Sequence, residues 1–138
     1  MKAYKLGMVA SEFNYDVTSM MMERARAEAE FLGVEIVKTV MVPGVYEIPL
    51  AVKALLERTD VDAVITIGAV IKGQTKHDEV VVAQASRLVA DLQLEFGKPV
   101  AFGITGPDMT QLQAMERIEK GRDVVDAAVK MLERLEKV

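Results

Sequence analysis

The chain has 138 residues, with one histidine and no cysteine, which excludes disulfides, thiolate metal sites, iron–sulfur clusters, cysteine nucleophiles and multi-histidine zinc sites. Lys and Arg number 17 against 21 Asp and Glu, a net charge of −4 that argues against nucleic acid, whose phosphates call for a basic face. No apolar run reaches the ~20 residues that span a bilayer, and the opening Met1–Leu6 lacks the apolar stretch of a signal peptide, so a cytoplasmic protein with no membrane partner is expected.

Lys5–Ala10 is a short apolar run and predicts a first strand. The polar loop Ser11–Tyr15 follows. From Asp16 the pattern turns helical, with Val17, Met21, Ala25, Ala29 and Leu32 on one stripe. Asp16 suits the N-cap and Gly33 the stop. The run Met20-Met21-Met22 reads as core and filler. Val34–Val42 is β-branched and predicts a second strand, broken by Pro43-Gly44. Ile48, Val52, Leu55 and Leu56 mark a second helix, with Pro49 in the first turn, where its missing N–H costs nothing.

Ala63–Ile71 is continuously apolar, as in a strand covered on both faces. After the loop Lys72–Lys76, a stripe of Val81, Ala85, Leu88 and Leu92 predicts a third helix ending at Gly97. Val100–Ile104 predicts a fourth strand and Thr105–Asp108 a loop. The last segment is helical, kinked or split at Gly121, with Val124, Ala128, Met131 or Leu132, and Leu135 on one face. At roughly 100–200 residues per domain, the length predicts one domain over 1–138. The order βαβαβαβα predicts α/β architecture: a four-stranded parallel sheet with helices on both faces. Ligands of such sheets bind outside the carboxyl ends of the strands. That rule singles out Ser11–Tyr15, Val42–Glu47, Ala69–His77 and Phe102–Asp108.

Within those loops, Gly73 allows a tight turn, and Gln74, Thr75 and Lys76 precede a helix whose N–H groups could face an anion. Lys72 and Lys76 add positive charge. The P-loop pattern is absent, and an ordinary polar connection is the alternative. His77 stands at a helix start, which disfavours imidazolium and leaves a ring able to exchange protons, or simply a capping side chain. Phe13 could stack on a planar ring or staple under the first helix. Glu47 could accept from ligand N–H or hydroxyl groups, or merely suit the helix dipole. Arg117 has the planar fork that reads phosphate, but Glu116, Glu119 and Asp123 could equally pair it on a solvated face. No G-x-G-x-x-G follows the first strand, which disfavours a dinucleotide.

Four motifs in order give the chain a resemblance to the lumazine synthase family, the 6,7-dimethyl-8-ribityllumazine synthases of riboflavin biosynthesis. They are Glu12-Phe13-Asn14, then Val42–Pro49 (VPGVYEIP), then Gly68–His77, then Pro99–Thr105 followed by Gln113-Ala114-x-x-Arg117. The resemblance spans nearly the whole chain, and the compact length is similar to the archaeal branch. It implies a flavodoxin-like three-layer α/β/α sandwich. It implies condensation of 5-amino-6-(D-ribitylamino)uracil with 3,4-dihydroxy-2-butanone 4-phosphate, without metal or organic cofactor.

The resemblance also assigns roles. Phe13 would stack on the pyrimidine. Val45, Tyr46 and Glu47 would line the ribityl chain, and Ala69, Val70 and Ile71 would offer their backbone to the pyrimidine. Gln74 and Thr75 would bind phosphate, and His77 would move protons. Phe102 and Arg117 would come from a neighbouring subunit, Arg117 gripping phosphate and Lys120 adding charge nearby. Partners would be copies of the same chain, as pentamers and in many members as icosahedral shells. Lys72 stands where many members have Arg, a point charge in place of a fork. Val45 and Tyr46 replace a smaller residue and a Phe, and the stretch between Arg117 and Gly121 is shortened. Alternatives within this resemblance are the archaeal-type riboflavin synthase paralogue and a non-catalytic flavin- or lumazine-binding shell protein.

Overall fold

Four apolar runs separated by amphipathic ones become a sheet with helices stacked on either side. The computed structural model describes residues 3–74 and 76–138. The strands are β1 (Lys5–Ser11), β2 (Glu35–Val42), β3 (Ala63–Ile71) and β4 (Val100–Met109). They lie in the order β2-β1-β3-β4, all parallel. The helices are α1 (Tyr15–Leu32), α2 (Ile48–Leu56), α3 (Asp78–Phe96), α4 (Gln111–Glu116) and α5 (Lys120–Leu135), and a 3₁₀ turn, Val45–Glu47, precedes α2. The arrangement is a flavodoxin-like three-layer α/β/α sandwich, as the sequence predicts.

Strand side chains alternate between two cores. Leu6, Met8, Ile65 and Ile67 face α1, α4 and α5, where they meet Val17, Met21, Ala114, Val125 and Ala128. Val9, Val64, Val100 and Ile104 face α2 and α3, where they meet Ile48, Val52, Leu55, Val82 and Val89. All nine residues of β3 are buried, as its unbroken apolar run requires. Each fully buried Leu, Ile, Val or Met side chain contributes about 1.5–3 kcal/mol of transfer free energy. The fold therefore rests on these two aliphatic layers.

The structure departs from the sequence reading in five places. Helix α1 begins one residue before Asp16. Asn14, with φ 61° and ψ 43°, is its N-cap, and the Asn14 carbonyl accepts from Val17 and Thr18 N–H. Asp16 lies in the first turn and its Oδ2 accepts from Gln111 Nε2 (3.1 Å). Helix α3 buries Val82, Ala85 and Val89, with Val81 and Leu92 partly buried on the same core as expected, while Leu88 is exposed. The valine run 80–82 offers more than one apolar face, and tertiary packing chooses between them. Strand β4 continues through Thr105–Asp108 to Met109 after a register shift. It is an edge strand, where Pro107 costs no ladder bond that a second neighbour needs. In α5 Leu132, not Met131, packs on the core, and Leu135 is exposed.

The fifth departure concerns Gly121. The helical segment does split, but at residues 117–119; Gly121 is inside the first turn of α5. A Cβ at Gly121 would collide with the Met21 carbonyl. Glycine is there because the α1 and α5 backbones touch, not because the helix bends.

Candidate active site

Parallel strands deliver four loops to one edge, and backbone hydrogen bonds hold those loops side by side. Glu12 N–H donates to Val42 O (2.7 Å) and Phe13 N–H to Pro43 O (3.2 Å), which continues the β1–β2 pairing past the strand ends. The Thr18 hydroxyl donates to Ser11 O (3.0 Å), fixing α1 at the end of β1. Asn14 then reaches across to the loop after β3. Its Nδ2 donates to Ala69 O (2.7 Å) and to Gln74 Oε1 (2.9 Å), and Gln74 Nε2 donates back to Asn14 Oδ1 (3.0 Å). The reciprocal amide pair uses the left-handed backbone that Asn tolerates better than most residues. On the other side Glu47 Oε1 accepts from Gly44 N–H (3.0 Å), which sets the carboxylate beside the Pro43-Gly44 turn.

These contacts enclose a cleft of about 180 Å³, lined by Phe13, Gly44, Val45, Tyr46, Ala69, Val70, Gln74, Asp78 and Val81. Six residues singled out in the sequence meet here: Phe13, Val45, Tyr46, Ala69, Val70 and Gln74. Phe13 is half exposed, at 52%, and faces the cleft rather than stapling under α1. Strand alternation turns Val70 toward the α2–α3 side and Ala69 and Ile71 toward α1. Ile71, buried at the end of β3, does not line the cleft. Gly106, at φ 100°, packs its backbone on the Val70 carbonyl, where a Cβ would collide. That close approach carries the end of β4 over the β3 edge.

A second cavity of about 280 Å³ is lined by Lys72, Lys76, His77, Asp78, Glu79, Val80, Pro107 and Asp108. Asp78 borders both cavities. His77 is the N-cap residue of α3, exposed, with its carbonyl accepting from Val81 N–H (2.9 Å). Lys72 Nζ is 3.4 Å from Asp108 Oδ1 on an exposed surface. Such a pair is weak and easily exchanged for another anion. The Thr75 expectation lies outside the described residues.

Glu47, Phe102 and Arg117 line neither cavity. Phe102 sits mid-strand on β4, partly buried against the α2–α3 core. Arg117 follows α4, and its Nη1 lies 3.6 Å from Met109 Sδ. Gln113, part of the last motif, closes a capping box with Thr110 (3.1 and 2.9 Å), and Ala114 is buried. Their role in the motif is thus to set the short helix that presents Arg117. Lys120 is exposed at the start of α5.

A family model described as 6,7-dimethyl-8-ribityllumazine synthase matches residues 3–136. The chain belongs to the 6,7-dimethyl-8-ribityllumazine synthase family. Among archaeal relatives bearing that name, one from Methanococcus maripaludis strain C5 is 56% identical over 134 residues, covering 97% of this chain and 98% of its own. One from Methanococcus aeolicus is 58% identical over 131 residues, covering 95% and 96%. One from Methanocaldococcus jannaschii is 57% identical over 130 residues, covering 94% and 92%.

Two residues at this edge went unassigned in the sequence. Asn14 appears in the first motif, but its partner is 60 positions away, a pairing no local pattern encodes. Asp78 reads as a helix-start carboxylate until the fold shows that it borders both cavities. Among the described residues no His, Cys, Asp and Glu cluster of three or more is placed to hold a metal ion, and no helix is long and apolar enough to cross a membrane.

Proposed function

We propose that the protein makes 6,7-dimethyl-8-ribityllumazine from 5-amino-6-(D-ribitylamino)uracil and 3,4-dihydroxy-2-butanone 4-phosphate, in the cytoplasm, as a step of riboflavin biosynthesis. The observation that carries this reading is the adjacency of two unlike cavities. One is a narrow aromatic and aliphatic cleft with Ala69 and Val70 in its wall. The other is polar, rimmed by Lys72, Lys76 and His77 together with Asp78, Glu79 and Asp108 at the start of α3 and the end of β4. A flat heterocycle suits the first and a phosphate ester the second. The family match favours this reaction over the riboflavin synthase paralogue and over a shell that only binds flavin or lumazine.

The chemistry needs few groups from the protein. The uracil's amine attacks the ketone, and loss of water gives an imine. Phosphate leaves, the product tautomerises, and the ribityl-bearing amine closes the ring with loss of a second water. Each step moves protons, and none needs a protein nucleophile. His77, on the border of the phosphate cavity, serves as proton donor and acceptor, a role worth ~10²–10⁴-fold. Holding two substrates in register supplies much of the rest. Phe13 stacks on the pyrimidine, Val45, Tyr46 and Glu47 receive the ribityl chain, and the backbone of Ala69 and Val70 faces the heterocycle. Thr75, with the start of α3, holds phosphate; the Gln74 amide, paired with Asn14, stays on the ring-cleft side.

Phe102 and Arg117 lie away from their own chain's cavities, which supports a site completed by a second copy. Homopentamers, and a shell built from them, are the assemblies we infer. Mixing the two substrates with the protein should produce lumazine absorbance and inorganic phosphate in equal amounts. Phosphate release without lumazine would overturn the reading.

A further inference from the structure

The reaction as described leaves one carboxylate at the site unused. Asp78 opens α3 beside His77 and borders both cavities. Its Oδ1 is shielded from solvent and has no hydrogen-bond partner among the described residues. A buried oxygen without a donor carries its desolvation cost uncompensated, and that cost is recovered only when an N–H or O–H is brought to it. The walls indicate which donor. Among the described residues Asp78 is the only charged one lining the ring cleft, whose other surfaces are Phe13, the 3₁₀ turn, β3, Gln74 and Val81. Charged groups of both signs, Lys72, Lys76, Glu79 and Asp108, border the other cavity. A carboxylate at the start of a 19-residue helix is also compatible with the helix dipole.

We propose that Asp78 accepts a hydrogen bond from an N–H group of the aminouracil and so sets the affinity for that substrate. This rests on the reaction proposed above and adds a residue to it. The carboxylate holds the nitrogen-rich heterocycle in the ring cleft, where the desolvated oxygen gains the donor it lacks.

The test is the split between the two Michaelis constants. Asp78→Ala should raise KM for the aminouracil about tenfold or more, the loss expected for one charge-assisted hydrogen bond. KM for the butanone phosphate should stay within about twofold of the parent. Asp78→Asn keeps the shape and one acceptor oxygen, so it should fall between parent and Asp78→Ala. That variant also keeps the test available where the alanine variant is unstable. Equal rises for both substrates, no rise for either, or a fall in kcat alone would each overturn the proposal; the last would make Asp78 a positioning residue for His77. The parent protein assayed alongside separates this from failure of the reaction itself. A parent that forms no lumazine overturns the reaction, and Asp78's role with it.

Discussion

At the amino end of the sheet a cavity of about 480 Å³ opens between the starts of β1 and β2 and the end of α1, larger than the 180 and 280 Å³ cavities at the carboxyl end. The larger space carries the poorer chemistry. Its polar side chains, among them Lys5, Arg26, Glu30 and Glu35, mix both signs with no segregation. At the carboxyl end the aromatic cleft has one carboxylate, Asp78, among its described lining, and the other charged groups, of both signs, gather in its neighbour. Topology explains the difference. The amino end receives short returns such as Gly33, where the chain re-enters the sheet. The carboxyl end receives four loops from segments far apart in sequence, each starting a helix or turn with N–H groups directed outward. Convergence of loops, not volume, makes the site.

The largest effect that would sharpen this contrast is at His77. His77→Ala should lower kcat by ~10²–10⁴-fold with KM little changed; unchanged turnover would remove the histidine from the chemistry. The same variant tests whether the site is shared. His77→Ala and Arg117→Ala proteins, each inactive alone, should regain partial activity when co-assembled, because some pockets then receive both intact residues. Absence of recovery in particles proven to be mixed would place the site within one chain.

A middle-sized effect is expected at the amide pair. Asn14→Gly keeps the left-handed backbone but releases both Ala69 O and Gln74. It should raise KM for both substrates by about three- to tenfold, since the pair ties the aromatic loop to the loop of the phosphate cavity. The contrast with Asp78, which should affect one substrate only, is the informative part. If Asn14→Gly leaves both constants unchanged, the pair merely decorates the edge.

The smallest effect belongs to the amino end. The Tyr4 phenol is pushed from its ordinary value of 10.0 up to about 12, first by burial and then by its hydrogen bond with Glu136. The folded value lies above the unfolded one, so the hydroxyl's contribution is whole below about pH 10 and is lost as pH climbs through about 12. Tyr4→Phe should therefore lower Tm by about 2 °C or less at neutral pH, with the gap closing in alkali and lumazine formation unaltered. A loss of activity in Tyr4→Phe would break the distinction between the two ends.

The layers, the sheet direction and the loops gathered at the carboxyl edge were legible in the sequence because each rests on local pattern. Continuous apolar runs mean covered strands, the spacing of Val17, Met21, Ala25 and Ala29 means a helix, and Gly33 ends it at φ 73°. What stayed hidden depends on contacts across the fold. The buried face of α3 is chosen from several by its neighbours. The extension of β4 through Gly106-Pro107 depends on Val70 lying beneath it. The Asn14–Gln74 pair and the double exposure of Asp78 exist only once β1 and β3 are adjacent. The motifs told which segments matter, but not which atoms within them are already engaged with one another.

The backbone contact at Gly121 bears on how this protein tolerates change. Helix α1 starts immediately after Phe13-Asn14, and α5 follows the short turn that holds Arg117. Where Gly121 rests on Met21 there is no side chain to act as a cushion, so neither helix can slide without moving the other. In the assembly inferred above, the aromatic wall of one pocket and the arginine offered to the next are thus mechanically linked through this backbone contact. A substitution there would detune two sites at once, one of them in another molecule.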